Sequence, residues 1–252
     1  MNTNLRELAV KVPAITLGFW IIKILATTLG ETGGDAVSMS MDLGYLVATG
    51  IFLIIFVAAV AAQIKATKYH AALYWFTIVA STTVGTTLAD FATRSLGIGY
   101  AGGSALLLGL LIACIFTWYR TLGTVSVASI STPKAELFYW LTIMSSQTLG
   151  TALGDWTADT QGLGYLGAAA IFGGLLLVLV VLHYVTKVSK TVLFWSAFVL
   201  TRPLGAVVGD FLDKPLDHGG LALSRYTASF VLLAAIVVLI AVLPKRAAER
   251  AH

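Results

Sequence analysis

One frame of three residues recurs four times along this 252-residue chain and constrains its fold more than any other feature. Each copy begins with a tryptophan, followed by a glycine ten residues later and an aspartate fifteen residues later. The four copies are Trp20/Gly30/Asp35, Trp75/Gly85/Asp90, Trp140/Gly150/Asp155 and Trp195/Gly205/Asp210. Chance does not keep two offsets fixed in four places, so the chain is predicted to contain four repeated units.

The spacing of the four tryptophans indicates how the repeats arose. They are separated by 55, 65 and 55 residues, and the extra length falls in the Arg120 to Glu136 connection. A unit that was duplicated, and then duplicated again as a pair, gives this pattern. The sequence therefore predicts a first half over residues 1–120, a cytoplasmic linker over 121–136 and a second half over 137–252.

The composition places these repeats in a membrane. Apolar residues make up 58% of the chain, charged residues only 11%, and the mean hydropathy is +0.89. A helix that spans a bilayer needs about 20 mostly apolar residues. The chain offers eight such stretches, at Val12–Gly30, Leu43–Gln63, Ala71–Ala92, Gly97–Tyr119, Leu137–Trp156, Leu163–Tyr184, Val192–Leu212 and Leu221–Leu243. The predicted fold is all-α, with eight transmembrane helices as four helical hairpins, odd helices inside and even helices outside.

The first stretch could also be interpreted as a cleavable signal sequence, because Arg6 and Lys11 precede its apolar run. It carries the same Trp, Gly and Asp frame as the other three odd segments. We therefore expect it to belong to the repeated architecture and to be retained.

The basic residues predict the orientation of the helices. With both termini and the loops after segments two, four and six on one side, that side holds eleven of the sixteen Lys and Arg residues. They are Arg6, Lys11, Lys65, Lys68, Arg120, Lys134, Lys187, Lys190, Lys245, Arg246 and Arg250. The positive-inside rule then places both termini in the cytoplasm. This bias explains the net charge of +4, so the expected partner is the lipid bilayer and not a nucleic acid.

The repeated aspartates predict a cation site. Because each repeat contains two spans, the four odd helices run in the same direction, and their aspartates reach one level about 22 Å from the tryptophans. Asp35, Asp90, Asp155 and Asp210 should form a carboxylate cluster, with Glu31 one turn deeper. Arg94, one turn beyond Asp90, could pair with it at i, i+4. Further ion-binding oxygens are expected from Thr27, Thr86, Gln147 and Thr151. Carboxylate, hydroxyl and carbonyl oxygens suit hard cations, so the five acidic residues are predicted metal ligands in a transporter of a small cation such as Mn²⁺.

Two buried basic residues and the small residues of the frame complicate this interpretation. Lys23 and Arg202 lie deeper than the aspartates and could serve as counter-ions when the site is empty. They weaken a simple pore model and favour a gated transporter. Gly-x-x-x-small also lets membrane helices approach closely, so the frame could be a packing device, within the monomer or in a homodimer. Packing alone does not explain a buried aspartate in every copy.

Other functions remain open at this stage. No metalloprotease or hydrolase motif occurs, so an enzyme is not expected, and lipid chemistry that uses carboxylates alone stays open as an alternative. The single Cys114 lies in an apolar span, so no intrachain disulfide and no redox chemistry are expected. No cofactor is predicted beyond a bound divalent cation. The alternatives are a proton-coupled transporter of a small organic solute and a membrane scaffold or sensor that does not transport. A transporter should have a continuous polar cavity between the odd helices, whereas a scaffold should have its carboxylates closed by salt bridges.

The first odd segment also carries a family resemblance. The stretch FWIIKILATTLGETGGD, from Phe19 to Asp35, and its echoes around Asp90, Asp155 and Asp210 resemble a family of uncharacterised bacterial multi-pass proteins, usually labelled only as membrane-anchored proteins. The resemblance covers nearly the whole chain. It implies a bacterial inner-membrane location and supplies no activity.

Overall fold

The chain forms eight α-helices. The computed structural model describes residues 11–160, 162–244 and 246–248, and the bounds that follow belong to these ranges. The helices are α1 (Leu17–Asp35), α2 (Gly44–Lys65), α3 (Ala71–Asp90), α4 (Gly99–Leu122), α5 (Pro133–Asp155), α6 (Gly164–Val185), α7 (Lys190–Asp213) and α8 (Arg225–Val242). Arg6, Lys245 and Arg250, which contribute to the predicted orientation, lie outside the described residues.

Local sequence signals explain where α1 and α5 begin. The Thr16 hydroxyl accepts a hydrogen bond from the Phe19 amide at 3.3 Å and caps α1. In the same way Thr132 caps α5, whose first residue is Pro133. Because proline fits the first turn of a helix, α5 begins inside the region that the sequence predicts as a linker.

Six of the described helices are long and apolar enough to cross a membrane, namely α2, α3, α4, α6, α7 and α8. The chain is therefore a multi-pass membrane protein by the length and composition of its helices. The two other helices, α1 and α5, are the more polar ones; α1 holds Lys23, Glu31 and Asp35 within 19 residues.

The odd helices form a closed ring. Helix α1 packs on α3, α3 on α5, α5 on α7, and α7 returns to α1. The even helices lie outside this ring, and each packs mainly on the odd helix of the following repeat: α2 on α3, α4 on α5, α6 on α7 and α8 on α1. The arrangement of inner odd and outer even helices is confirmed. The predicted hairpins are not packing units, because the two helices of one repeat make few direct contacts.

The connection after each aspartate explains this packing. A five-residue turn of wide, π-type geometry follows α1, α3 and α5, at Ala36–Ser40, Phe91–Ser95 and Trp156–Thr160. The next helix then begins at a glycine with positive φ, at Gly44 (72°), Gly99 (65°) and Gly164 (63°). Only glycine adopts this backbone readily, which accounts for the recurring Gly-Tyr pair. In the first three repeats the turn directs the even helix sideways onto the neighbouring repeat.

The frame glycines set the close spacing of the ring. Each one faces the residue seven positions after the tryptophan of the next repeat: Gly30 faces Thr82, Gly85 faces Gln147, Gly150 faces Arg202 and Gly205 faces Thr27. A Cβ atom on Gly85 would lie 2.9 Å from the backbone carbon of Gln147, so the helices meet at backbone distance. The glycines are packing residues, and the contact repeats four times around the ring.

A buried lysine, Lys11, links two helices at the tryptophan end of the bundle, which is the end at which the odd helices begin. The Lys11 ammonium donates to the carbonyls of Gln63, Ile64 and Ala66, at 2.9, 3.1 and 3.0 Å, where α2 ends. It also pairs with Glu136 Oε1, in the first turn of α5, at 2.5 Å. A cation is favourable at a helix C-terminus and an anion at an N-terminus. Lys11 therefore joins α2 to α5.

We expect Lys11→Met to lower the free energy of unfolding by about 2 kcal/mol, because it removes hydrogen bonds from a charged donor. The cost is moderate since Glu136 retains its favourable position at the start of α5. SDS titration of the protein in mixed micelles measures this change. The exposed Lys134 lies in the same turn of α5, and Lys134→Met should change stability by less than about 0.5 kcal/mol. Equal effects of the two substitutions would contradict the assignment.

Candidate functional site

Four layers of side chains fill the centre of the ring. They are the residues 3, 7, 11 and 15 positions after each tryptophan, which an α-helix places on one slowly drifting face. From the tryptophan end, the layers are Lys23, Ile78, Ile143 and Phe198; Thr27, Thr82, Gln147 and Arg202; Glu31, Thr86, Thr151 and Ala206; and Asp35, Asp90, Asp155 and Asp210. All sixteen are buried. The predicted common level of the four aspartates is thus found in the structure, and we call it the aspartate layer.

Two cations divide the aspartate layer into two pairs. Arg94 Nε lies 3.1 Å from Asp90 Oδ1, and its Nη2 donates to Asp155 Oδ2 at 3.0 Å. Lys214 Nζ lies 2.5 Å from Asp35 Oδ2 and 3.0 Å from Asp210 Oδ1. Each cation pairs with the aspartate of its own repeat and with that of a neighbouring repeat.

The sequence contains a signal for these cations that the frame analysis missed. Arg94 and Lys214 both lie 19 residues after the tryptophan of their repeat, whereas the other two repeats have Met39 and Asp159 at that position. A third cation, Arg225 at the start of α8, lies 3.6 Å from Asp35 Oδ2 and 3.2 Å from an oxygen of Asp213. Arg225 lies outside the repeated frame.

The buried charge at this end is unbalanced. Within the described part of the chain, five buried carboxylates, those of the aspartate layer and Asp213, face the three cations Arg94, Lys214 and Arg225. In their ionised forms these groups carry two net negative charges. Burial lowers the pKa of the Lys214 ammonium, but three neighbouring carboxylates raise it by more, so Lys214 stays charged. The remaining negative charge must be balanced by protons or by a bound cation.

The Arg202 guanidinium crosses the ring on the tryptophan side of the aspartate layer. Arg202 on α7 donates through Nη2 to Glu31 Oε2 at 2.9 Å and to Thr86 Oγ1 at 2.6 Å, and through Nη1 to the Thr27 carbonyl at 3.4 Å. Helices α7 and α3 lie on opposite sides of the ring, so the guanidinium closes its centre. The prediction that Arg202 is an internal counter-ion agrees with this contact.

Lys23 does not act as a counter-ion in this structure. No carboxylate oxygen of the described ranges lies within 4.0 Å of its Nζ, because Glu31, two turns along the same helix, pairs with Arg202 instead. The ammonium lies 4.1 Å from the centre of the Phe198 ring and 3.4 Å from Gln147 Oε1. The Lys23 side chain reaches across the ring to α5, one layer closer to the tryptophan end than Arg202.

The four polar side chains predicted to bind the ion make different contacts; they are Thr27, Thr86, Gln147 and Thr151. Thr86 hydrogen-bonds to Glu31 Oε2 at 3.3 Å and lies beside the acidic residues. The Thr27 hydroxyl donates to the backbone carbonyls of Ile24 and Thr201, and that of Thr151 to the carbonyl of Gln147. Three of the four therefore lie in helix packing or beside Lys23, and Thr86 is the one that hydrogen-bonds to a predicted metal ligand within the described ranges.

Three of the five predicted metal ligands come together. Carboxylate oxygens of Glu31, Asp35 and Asp210 lie within 4.8 Å of one another, on α1 and α7, and all three residues are buried. Asp35 Oδ1 is a buried oxygen without a hydrogen-bond partner among the described residues. Asp90 and Asp155 belong to the same layer but lie together on Arg94, outside this cluster.

The opposite end of the ring is closed by aromatic side chains. The residue before each tryptophan contacts the tryptophan of the next repeat, with ring centroids 5.3 to 6.1 Å apart. The pairs are Phe19–Trp75, Tyr74–Trp140, Tyr139–Trp195 and Phe194–Trp20. The hydroxyls of Tyr74 and Tyr139 are 2.7 Å apart and share a hydrogen bond. The centre of the bundle therefore runs from an acidic end to an aromatic end.

These features define a multi-pass helical membrane protein with four repeats around a charged centre. The family model of the DUF347 repeat, described as a repeat of unknown function, matches four times, over residues 18–69, 73–124, 138–189 and 193–247. The chain belongs to this family, and each match covers one odd helix and the even helix after it. Neither the curated proteins nor the solved structures gave a match.

Proposed function

We propose that the protein is an integral membrane transporter of a small divalent cation, such as Mn²⁺, and that this structure is its closed form. The observation that carries the proposal is the cluster of Glu31, Asp35 and Asp210, whose carboxylate oxygens lie within 4.8 Å of one another. Three carboxylates at that separation supply the hard oxygen ligands that Mn²⁺, Mg²⁺ and Ca²⁺ prefer. The two net negative charges of the aspartate end match the charge of one such ion.

Lys214 is the proposed gate. It holds Asp35 and Asp210 together and lies just beyond α7, with its side chain 13% exposed. Because its ammonium is positively charged, Lys214 competes with the cation for the carboxylates of Asp35 and Asp210. An arriving ion replaces the ammonium at the two carboxylates, and the lysine moves toward solvent.

Transport requires a second opening. Arg202 and Lys23 both cross the ring below the cluster, so the closed form has no straight path for a cation. In the proposed cycle the Glu31–Arg202 pair separates while Glu31 binds the ion. Carboxylates that exchange between a basic partner and a cation use charges of both signs, which a simple pore does not need.

The proposed topology has eight spans. Helices α1 and α5 fall outside the six that are apolar enough by composition, but they complete the ring with α3 and α7. A polar helix crosses a membrane when its charged face is covered by protein. With the basic loops inside, both termini lie in the cytoplasm of a bacterium and the aspartate layer faces outward.

Mn²⁺ binding tests the site directly. Asp35→Asn and Asp210→Asn should each weaken binding about tenfold or more, because each removes a charged ligand. The measurement is the fall of the free Mn²⁺ EPR signal on titration with purified protein, with Mg²⁺ and Ca²⁺ as competitors. Asp155→Asn is the matched control, since it removes the same charge from the same layer outside the cluster. Equal weakening in all three variants would contradict the assigned site.

A scaffold or sensor is the second candidate, and one observation favours it: all four aspartates of the layer are in salt bridges. Elemental analysis of cells with and without the protein separates the two functions. A transporter changes the cellular content of one metal, and Asp35→Asn abolishes the change. Binding in vitro without any change in cellular metal would favour a sensor.

A further inference from the structure

Three hydrogen-bond donors in the middle of the ring have too few acceptors among the described residues. Gln147 Nε2 and Arg202 Nε are buried and have no hydrogen-bond partner among the described residues. Lys23 Nζ has only the long contact to Gln147 Oε1 at 3.4 Å and the face of Phe198. The side chains of all three residues are fully buried, at 0% exposure. They lie in two consecutive layers, on α1, α5 and α7.

The orientation of the Gln147 amide follows from its neighbour. An ammonium is only a donor, so the atom that faces Lys23 must be the amide oxygen. The amide nitrogen is then a donor that needs an acceptor elsewhere. Arg202 lies in the same layer on the neighbouring helix, and its guanidinium has no acceptor atom.

The charged groups of this region also include one positive charge without a counter-charge. Below the aspartate layer and above the aromatic end, the charged side chains that fill the ring are Lys23, Glu31 and Arg202. Glu31 and Arg202 neutralise each other, which leaves the ammonium of Lys23 as one positive charge. An unpaired charge inside a membrane protein is expensive and is normally compensated by an opposite charge or by neutralisation of the group.

We propose that Lys23, Gln147 and Arg202 bind a small monovalent inorganic anion, of which chloride is the probe, in the centre of the ring. One such anion supplies an acceptor to Gln147 Nε2 and Arg202 Nε, adds a closer one for Lys23 Nζ, and balances the excess charge. A compact ion also suits this position, because the other residues of the Lys23 layer, Ile78, Ile143 and Phe198, offer no polar groups to a larger solute. The site shares none of the three carboxylates of the proposed cation site and contacts it through the Glu31–Arg202 pair.

Thermal unfolding of the purified full-length protein in detergent tests this site. At constant ionic strength, replacing sodium gluconate with sodium chloride should raise Tm by roughly 3–6 °C for each tenfold rise in chloride above its dissociation constant. Lys23→Met should abolish this dependence. Lys11→Met removes another buried lysine, at the tryptophan end, and should keep the chloride dependence even though its Tm is lower.

A second measurement keeps the proposal testable if Lys23→Met does not fold. In crystals of the wild-type protein grown with bromide, an anomalous peak is expected between Lys23 Nζ, Gln147 Nε2 and Arg202 Nε. A wild-type Tm that is equal in chloride and gluconate would overturn the proposal, as would a bromide derivative without this peak. Lys23 would then be a neutral amine, and the excess charge would not exist.

Discussion

Replacing either partner of the Glu31–Arg202 pair should destabilise the protein by about 3–5 kcal/mol, because the remaining partner becomes an uncompensated buried charge. The two side chains are 3% and 0% exposed, and their atoms are 2.9 Å apart. The other repeats supply replacements that fit these layers. Gln147 occupies the position of Arg202 in the third repeat, and Thr86 occupies that of Glu31 in the second. Arg202→Gln and Glu31→Thr are therefore the informative variants.

The double variant separates charge from packing. With both replacements the pair becomes two neutral groups, so most of the lost stability should return and the coupling energy should exceed about 2 kcal/mol. SDS titration in mixed micelles, followed by tryptophan fluorescence, gives the three free energies. If the two single effects simply add in the double variant, the pair is not the stabilising contact that the structure indicates.

The four repeats share one geometry but not one chemistry. The charged departures from the frame, Lys23, Glu31 and Arg202, all lie on α1 and α7, where the fourth repeat meets the first. The three-carboxylate cluster lies at the same interface, between α1 and α7. At the opposite interface, between α3 and α5, Thr86 and Thr151 occupy the layer of Glu31. The ring thus uses repetition for packing and places its additional charges at one interface.

The level of the aspartates could be predicted from the sequence because a fixed offset on a helix is a fixed distance. The same logic gives all four layers of the ring. It also reaches Arg94 and Lys214, which share an offset of 19 residues from the tryptophan. The frame analysis stopped at the aspartate and predicted only the local pair between Arg94 and Asp90, which is confirmed at 3.1 Å.

The neighbours of each even helix could not be predicted from the sequence. Helices such as α2 are apolar on nearly every side, so their sequences do not show which face contacts protein and which contacts lipid. The choice is made by the turn before the helix, where Gly44 has a φ of 72°. A positive φ at a glycine is a backbone property that hydropathy does not report.

The partner of Glu31 was hidden for a different reason. Arg202 is 171 residues away, and the two meet only because the ring closes between α7 and α1. Within one helix, Lys23 is the nearest basic residue, and helix periodicity favours that partner. The contact of Gly205 with Thr27 sets the register between the two helices. That register places Arg202 in the layer next to Glu31, within reach of its carboxylate, and leaves Lys23 two layers from Glu31.

A large packing effect is expected at Gly85. A Cβ atom there would lie 2.9 Å from the backbone carbon of Gln147 and 3.0 Å from the amide nitrogen of Thr148. Backbone atoms of a neighbouring helix cannot move aside as a flexible side chain does, so the two helices must separate. Gly85→Ala should cost about 1–3 kcal/mol, and Gly85→Leu more than about 3 kcal/mol. The yield of folded protein in the membrane should fall several-fold for Gly85→Leu.

Gly109 provides the matched control for this experiment. It lies in the middle of α4, it is exposed, and nothing comes within 4 Å of a Cβ atom built on it. Gly109→Leu adds the same side chain on the lipid-facing surface and should change stability by less than about 0.5 kcal/mol. Detergent extraction with size-exclusion chromatography gives the yields, and SDS titration gives the free energies. If the two leucine variants behave alike, the frame glycine does not set the helix spacing. A large loss at Gly85 alone would show that the ring tolerates no side chain where its helices meet, which is the physical reason for a glycine in all four repeats.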